Sequence, residues 1–528
     1  MTSPTFEQIS EHAALQMESG NWDAARAHWL DALALAPDPA GVMLELSYVE
    51  SLAGRFRAAH DWVLRAVQAG PRSIDAVLSL VQRLRTFNEV PILRGIVAAL
   101  LGNQWTPHGV LVECARHLSN LNDFGLALQC AEAAMAKAPA DSSARLVRGQ
   151  LLANHARMEE ATMDFQWVLQ RNPRVAIAWW MLSRLSRQTL QSNHVPQLQA
   201  LLQIPGLQPF DIAAVARALH KELDDIGDHD GAWQALELLC KTKRSTVQYD
   251  LMESRRLVDW LVAWSPDGAT GTGRQETDKV PVFILGMYRS GTTLVEQLLD
   301  ASGQVRGLGE LLDFTSAMRH ATDHYCKGSI DTVIVERASG IDFDEVGRRY
   351  MAGVDWRLGD ERFFTDKLPS NFLSIGFICA ALPQAKILHM VRDPVETCFS
   401  NLCELFTDVN PYSYDQQELA DYFLQYRRLM AHWHEMFPGR ILDVDYARLT
   451  ADPEATMREV AAFCGIEYVD GMRSTASSAR AVSTASSIQV RGGVVRRESP
   501  KWAPYVHRLQ PLIKALQEGG VEIGSMPT

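Results

Sequence analysis

Arg289, Ser290, Gly291, Thr292 and Thr293 lie in VPVFILGMYRSGTTLVEQLLD, residues 280 to 300, where an apolar run meets a glycine-flanked turn and then a helix-spaced segment. Gly286 and Gly291 let the backbone approach a ligand closely, and the amides of residues 290 to 293 open a helix whose positive end favours phosphate or sulfate. The Gly286-to-Gly291 spacing is that of a nucleotide-triphosphate loop, but Thr292 stands where that motif carries lysine. The pattern therefore keeps the anion cradle and drops the lysine. It points to a phosphate-anchored donor other than a magnesium-bound triphosphate, with Arg289 and the two threonines supplying charge and hydroxyls.

A cradle of this kind needs a strand behind it and a helix ahead of it. Val282 to Leu285 supply the strand, and Leu294, Leu298 and Leu299 recur at helical spacing. The alternation continues: a short strand ending at Phe364 precedes a helix over 370–382, a strand over 386–391 precedes a helix over 394–405, and a strand over 441–444 precedes a helix over 452–464. Strands alternating with helices predict a parallel sheet with ligands at the carboxyl ends of its strands. Arg392 sits at such an end and Ser400 two helical turns further on. An arginine fork and a hydroxyl suit a second phosphate, although Arg392-Asp393-Pro394 alone reads as a strand-to-helix turn.

The first half is organised differently. Trp22, Phe56, Phe124 and Met158 each lie 15 residues before a proline (Pro37, Pro71, Pro139, Pro173), and Ala25, Ala59, Ala127 and Ala161 recur at the same period of 34. Ala32, Ala66 and Ala134 share a second register, while the stretch 90–105 keeps only bulky residues and forms a degenerate unit. This half resembles tetratricopeptide repeats, in which each helix hairpin buries its face only against its neighbours and leaves a concave surface for peptides or helices. A weaker unit at 227–237 leads into helix through Trp264, and Ser265 to Gly273, SPDGATGTG, reads as a linker. Expected domains are thus residues 1–264, a linker at 265–278 and residues 279–528.

With 528 residues the chain exceeds a single core, and 47% hydrophobic with 22% charged residues is a globular composition. A net charge of −12 argues against a general binder of nucleic acid or anionic membrane, so basic function must be local. The first twenty residues have no signal-peptide pattern and no run approaches the roughly 18 apolar residues of a membrane span, which predicts a cytoplasmic protein. Eight scattered cysteines without a CxxC pair read as reduced thiols. His432 and His434, two apart on a helix, do not converge on a metal as an i, i+4 pair would.

Taken together, the second half resembles sulfotransferases that use 3′-phosphoadenosine 5′-phosphosulfate (PAPS), and its pattern is similar to the tyrosylprotein branch over residues 279 to 505. YRSGTT matches the 5′-phosphosulfate loop, with Tyr288 in place of the proline of many relatives; VRDPVETCFSNL matches the 3′-phosphate pair, Arg392 and Ser400. Glu404 stands where that branch carries a further arginine. In STASSIQVRGGVVRRESPKWAPY, Ser487 precedes Lys501-Trp502 by fourteen residues, as a transition-state serine precedes a nucleotide-side lysine in that branch. By register, Glu310, 21 residues after Arg289, matches the branch's base; Lys367, 25 before Arg392, its transition-state lysine; and Tyr446 a cofactor-side tyrosine.

The resemblance implies an α-helical repeat solenoid joined to a P-loop-like α/β parallel-sheet domain. Its implied reaction moves a sulfuryl group from PAPS to an acceptor hydroxyl, leaves 3′-phosphoadenosine 5′-phosphate (PAP), and needs no metal. The implied acceptor is a protein or peptide tyrosine, presented or recruited by the repeats. A small phenol, a glycan or an envelope precursor would use the same donor chemistry. Two other classes stand beside it: a repeat scaffold with a silent nucleotide-binding domain, against which the Glu310, Lys367, Arg392 and Ser400 set argues, and a phosphotransferase, which Thr292 disfavours.

Overall fold

The computed structural model describes residues 4–266, 277–406, 408–475 and 499–524. The repeat half is a run of helix hairpins: Phe6–Glu18 with Trp22–Leu33, Pro39–Leu52 with Phe56–Ala69, Ile74–Thr86 with Val90–Gly102, His108–Asn120 with Phe124–Lys137, and Ser142–Asn154 with Met158–Arg171. The aromatic and Met positions of the 34-residue register are the first residues of the second helices. Ala25, Ala59, Ala127 and Ala161 are fully buried one turn in, where a larger side chain would hold the paired helices apart. The degenerate unit still forms its hairpin, with Leu93 fully buried in the register where the others have alanine.

A second periodic feature lies in the turns. Gly20, Gly54, Asn88, Asn122 and Ala156, each two residues before a second helix, all adopt φ between +60° and +75°. Glycine takes this left-handed conformation without penalty, asparagine tolerates it, and alanine pays about 1–2 kcal/mol. Ala156→Gly is therefore expected to stabilise the fold by about 0.5–1 kcal/mol after the greater freedom of glycine in the unfolded chain is subtracted. The space around the Cβ position at Gly54 is open, so Gly54→Ala should destabilise by a similar amount through the backbone alone. Urea midpoints of the two variants moving in the same direction would contradict the shared turn geometry.

The sheet has five strands, β1 (Val280–Gly286), β2 (Val305–Arg306), β3 (Phe363–Asp366), β4 (Lys386–Val391) and β5 (Ile441–Asp445), in the order β2-β3-β1-β4-β5 with every pair parallel. β1 is buried along its whole length, as its uninterrupted apolar run requires. The chain leaves β1 first toward β2 and β3 and later toward β4 and β5, so the switch point, and the crevice it opens, lies beyond Gly286. Leu294, Leu298 and Leu299 pack with Val282 and Ile284 beneath it. The expected helix over 370–382 begins instead as a 3-10 turn, Pro369–Ser374, before Ile375–Ala381. There the Phe372 carbonyl accepts from Trp433 Nε1 at 2.9 Å rather than from an α-helical ladder.

Compactness groups these elements into two units, each containing repeat helices. One is built on Met1–Ala144 and Leu312–Arg357. Within it, Asn88 Nδ2 donates to Asp313 Oδ1 at 2.9 Å, and the Arg94 guanidinium lies 4.5 Å over the Trp356 ring. The other unit, Arg145–Pro266 with Glu276–Leu311 and Leu358–Thr528, contains the sheet. In it, Arg244 makes a two-pronged pair with Glu418 at 2.7 and 2.8 Å, and Tyr505 donates to Asp224 at 2.5 Å. No helix among the described residues is long and apolar enough to cross a membrane.

Candidate active site at the carboxyl ends of the strands

Both glycines of the loop are dictated by geometry. Gly286 has φ +143°, and a Cβ there would lie 2.7 Å from the Met390 carbonyl of β4; Gly291 has φ +108°, and a Cβ would fall 2.5 Å from the Tyr446 ring. Arg289 itself holds φ +71°, a strained value for a residue with a side chain. The helix Thr292–Asp300 opens directly from this turn, with Thr292 and Thr293 buried in its first turn. Ser290 Oγ is buried and has no hydrogen-bond partner among the described residues. A buried hydroxyl left unmatched at a helix start beside an arginine fits an anionic ligand group, which would complete it.

Arg392 follows β4 and binds back onto this loop. Its Nη1 donates to the Arg289 carbonyl at 2.8 Å, its Nη2 to Glu396 Oε1 at 2.9 Å, and its guanidinium lies 4.4 Å over the Tyr446 ring. Arg289 Nε donates to Ser400 Oγ at 3.1 Å, so the residues assigned to the two phosphate ends of one donor interlock directly. Lys501 joins through Glu396, whose Oε2 accepts from the Lys501 amide at 2.9 Å. A cavity of about 640 Å³ opens beside β4 and β5; Ser290 and Arg392 reach its wall, but the rest is mainly His389, Tyr426, Met430, His434 and Asp443, and Ser400, Lys501, Glu310 and Lys367 do not line it. That volume lies within the range of small-molecule sites.

Lys367 follows β3, is fully buried, and donates through Nζ to Glu310 Oε1 at 2.6 Å. The two residues are also fixed through the main chain, where the Lys367 amide donates to the Gly309 carbonyl at 2.9 Å. Behind them is Glu296, a buried acid on the first helix, which accepts from the Gly309 amide at 2.7 Å and from Thr365 Oγ1 at 2.8 Å. Glu296 thus ties the segment carrying Glu310 to both the helix and β3. Tyr288 borders the same place; burial, with Glu310 nearby, raises its phenol to about 12.

The structure brings together Arg289, Ser290, Gly291, Arg392, Ser400, Tyr446 and Lys501 in one set of contacts, and Glu310 with Lys367 in another. Ser487, with Arg491, Arg496 and Arg497, lies outside the described residues. Sequence reasoning missed Glu296 and Glu396, whose roles are visible only through their partners. It also missed the partners of His434. Asp443 of β5, in register with His389 of β4, accepts from His389 Nδ1 at 2.7 Å and from His434 Nε2 at 2.9 Å, while His389 Nε2 meets the Tyr426 hydroxyl. The ligand-capable atoms of His389, His434 and Asp443 lie within 4.8 Å of one another, and protein groups satisfy them as they stand.

Residues 281–470 match the sulfotransferase family model, and residues 11–74 and 115–165 match that of the tetratricopeptide repeat. An uncharacterized protein of Aquifex aeolicus is 31% identical over 340 residues, covering 62% of this chain and 44% of its own length. Protein-tyrosine sulfotransferase 2 of Gallus gallus is 28% identical over 199 residues, 36% of this chain and 52% of its own. The chain thus spans about half the length of these curated relatives. Among solved structures, the sulfotransferase domain of the Synechococcus PCC 7002 olefin synthase aligns with 48% of this chain and 99% of its own at 18% identity and a TM-score of 0.31.

Proposed function

As a chain that joins tetratricopeptide repeats to a sulfotransferase-family domain, the protein is, we propose, a cytoplasmic enzyme that moves the sulfuryl group of PAPS to the hydroxyl of a protein or peptide tyrosine. The observation that carries this reading is the Glu310–Lys367 pair, held at 2.6 Å at the end of β3, the strand paired directly with the one that feeds the glycine loop. The relationship to a protein-tyrosine sulfotransferase supports a phenolic acceptor, and the repeats are of a kind suited to holding a peptide that carries it.

When bound, PAPS supplies the sulfuryl group and a nucleoside bisphosphate as leaving group. Glu310 takes the acceptor proton as the acceptor oxygen bonds to sulfur and the sulfur–oxygen bond to the phosphate breaks. Lys367 supplies positive charge to offset the negative charge that develops on the bridging oxygen of the departing phosphate. Arg289, Ser290, Thr292 and Thr293 would hold the donor's 5′ end, and Arg392, Ser400, Tyr446 and Lys501 its nucleotide side. An in-line, loose transfer asks mainly for positioning and charge neutralisation, which these residues provide. Peptide and small-molecule pools incubated with enzyme and PAPS should show one added SO₃ per acceptor by mass spectrometry. A transferred phosphoryl group, or no adduct on any hydroxyl pool, would refute the reading.

Donor binding gives a second check. Arg392→Ala removes a charge-assisted contact of about 1.5–3 kcal/mol, and PAP affinity measured by calorimetry with a metal chelator present should weaken by about one to two orders of magnitude. Unchanged affinity would remove Arg392 from the site.

A further inference from the structure

His389, His434 and Asp443 come from separate elements: β4, the helix Gln416–Met436 and β5. Parallel pairing sets His389 against Asp443, and the helix brings His434 to the same carboxylate. A single oxygen, Asp443 Oδ1, accepts from His389 Nδ1 at 2.7 Å and from His434 Nε2 at 2.9 Å. The ligand-capable atoms of the three residues all lie within 4.8 Å of one another. In a tetrahedral site with metal–ligand bonds of about 2.0–2.1 Å, neighbouring ligand atoms stand about 3.3 Å apart. The separations here bracket that value. The Asp443 and His434 side chains, 53% and 37% exposed, are free to adjust around the buried His389.

Two imidazoles and one carboxylate suit a divalent transition-metal ion, whereas Mg²⁺ and Ca²⁺ ask for a shell of oxygens. The surroundings match that donor set. A metal-bound imidazole donates its other ring N–H to a fixed partner, and His389 Nε2 meets the Tyr426 hydroxyl, a group that accepts as well as donates. Coordination through Nδ1 moves the imidazole proton to Nε2, where Tyr426 receives it in a hydrogen bond. All three residues face the cavity of about 640 Å³, which has room for a water or another oxygen ligand in a fourth coordination position. Arg392 and Arg427 share its wall, but the acids Asp393, Asp445 and Glu522 line it too, so the charge around the cluster does not repel a cation.

We propose that His389, His434 and Asp443 form a binding site for a divalent transition-metal ion of the zinc class, with a fourth position open to the cavity. The ion pins β4, β5 and the helix Gln416–Met436 to one another through coordinate bonds in place of two hydrogen bonds. Arg392 follows His389 by three residues, so the pin steadies the strand that delivers this arginine. Glu310 and Lys367 do not line the cavity, and the metal has no part in the transfer assigned to them. The site stands independently of the sulfotransferase reading.

Calorimetry on the untagged full chain, treated with a chelator and dialysed, should show a single Zn²⁺ bound per chain with a Kd of about 1 μM or below, and no comparable binding of Mg²⁺. His434→Ala and Asp443→Asn should each weaken Zn²⁺ by about 100-fold, and Tyr426→Phe, which removes only the outer hydrogen bond, by about 10-fold. His432→Ala, on the same helix but outside the cluster, should leave the affinity unchanged. Zn²⁺ at about 100 times its Kd should raise the unfolding midpoint of the native chain but not that of His434→Ala. Absence of Zn²⁺ binding, an affinity unchanged in either ligand variant, or equal weakening by His432→Ala would each leave the cluster a hydrogen-bond network and overturn the proposal. Should the ligand variants not fold, the visible spectrum of Co²⁺ bound to the native chain decides: a four-coordinate, nitrogen-bound ion supports the site, and a six-coordinate ion in an all-oxygen shell overturns it.

Discussion

Glu310→Gln is expected to lower kcat by about two to four orders of magnitude while leaving PAP affinity within about threefold. The amide keeps the size of the carboxylate and an oxygen that can accept from Lys367 Nζ, which lies 2.6 Å from Oε1 in the native protein. What it loses is the capacity to take a proton. A phenol with a pKa of about 10 is almost entirely protonated near neutral pH, so the proton must leave as the oxygen attacks sulfur, and the base is needed at that moment. The variant also leaves the buried Lys367 ammonium beside a neutral partner, so some loss of stability should accompany the kinetic defect. Single-turnover rates measured well below the unfolding temperature separate the two effects. A variant that kept near-native kcat with a phenolic acceptor across the pH range would show that another group is the base.

The unequal legibility of the chain has a physical pattern. A residue was readable where its type is forced locally. Gly286 and Gly291 are both required by positive φ and by an approach that no Cβ would permit, so the loop announces itself in one short stretch. Ala25, Ala59, Ala127 and Ala161 are fully buried and had to be small, so the repeat period stood out. The turn positions obey the same period but accept Gly, Asn and Ala, and the common backbone conformation hid behind three residue types.

What depends on register or distant packing was not readable. His389 meets Asp443 because β4 and β5 pair residue against residue, and His434 arrives from a separate helix; spacing within AHWHEM could not foretell it. Glu296 looks like one more helix acid until its two hydrogen bonds to Gly309 and Thr365 are seen. Glu404 was visible as a departure from the related pattern, but its ion-pair partner Arg217 lies about two hundred residues earlier in the chain, and only the fold brings the two together.

Lys367→Met should reduce kcat by about two to three orders of magnitude with little change in the unfolding midpoint. The side chain is fully buried at the end of β3, so its ammonium carries a desolvation cost that the Glu310 contact has to offset. Methionine fills nearly the same volume without that cost, while Glu310, about one third exposed, can turn to water once its partner is gone. Stability is therefore nearly conserved where catalysis is not, the signature of a charge kept for chemistry rather than for folding. Lys367→Ala would confuse the issue by adding a cavity. The decisive measurement is the double variant Glu310→Gln/Lys367→Met. If the two residues act as one unit on the same transfer, its kcat should be close to that of the slower single variant rather than the product of both losses. Fully additive losses would mean that the 2.6 Å contact is incidental and that Lys367 and Glu310 act on separate steps.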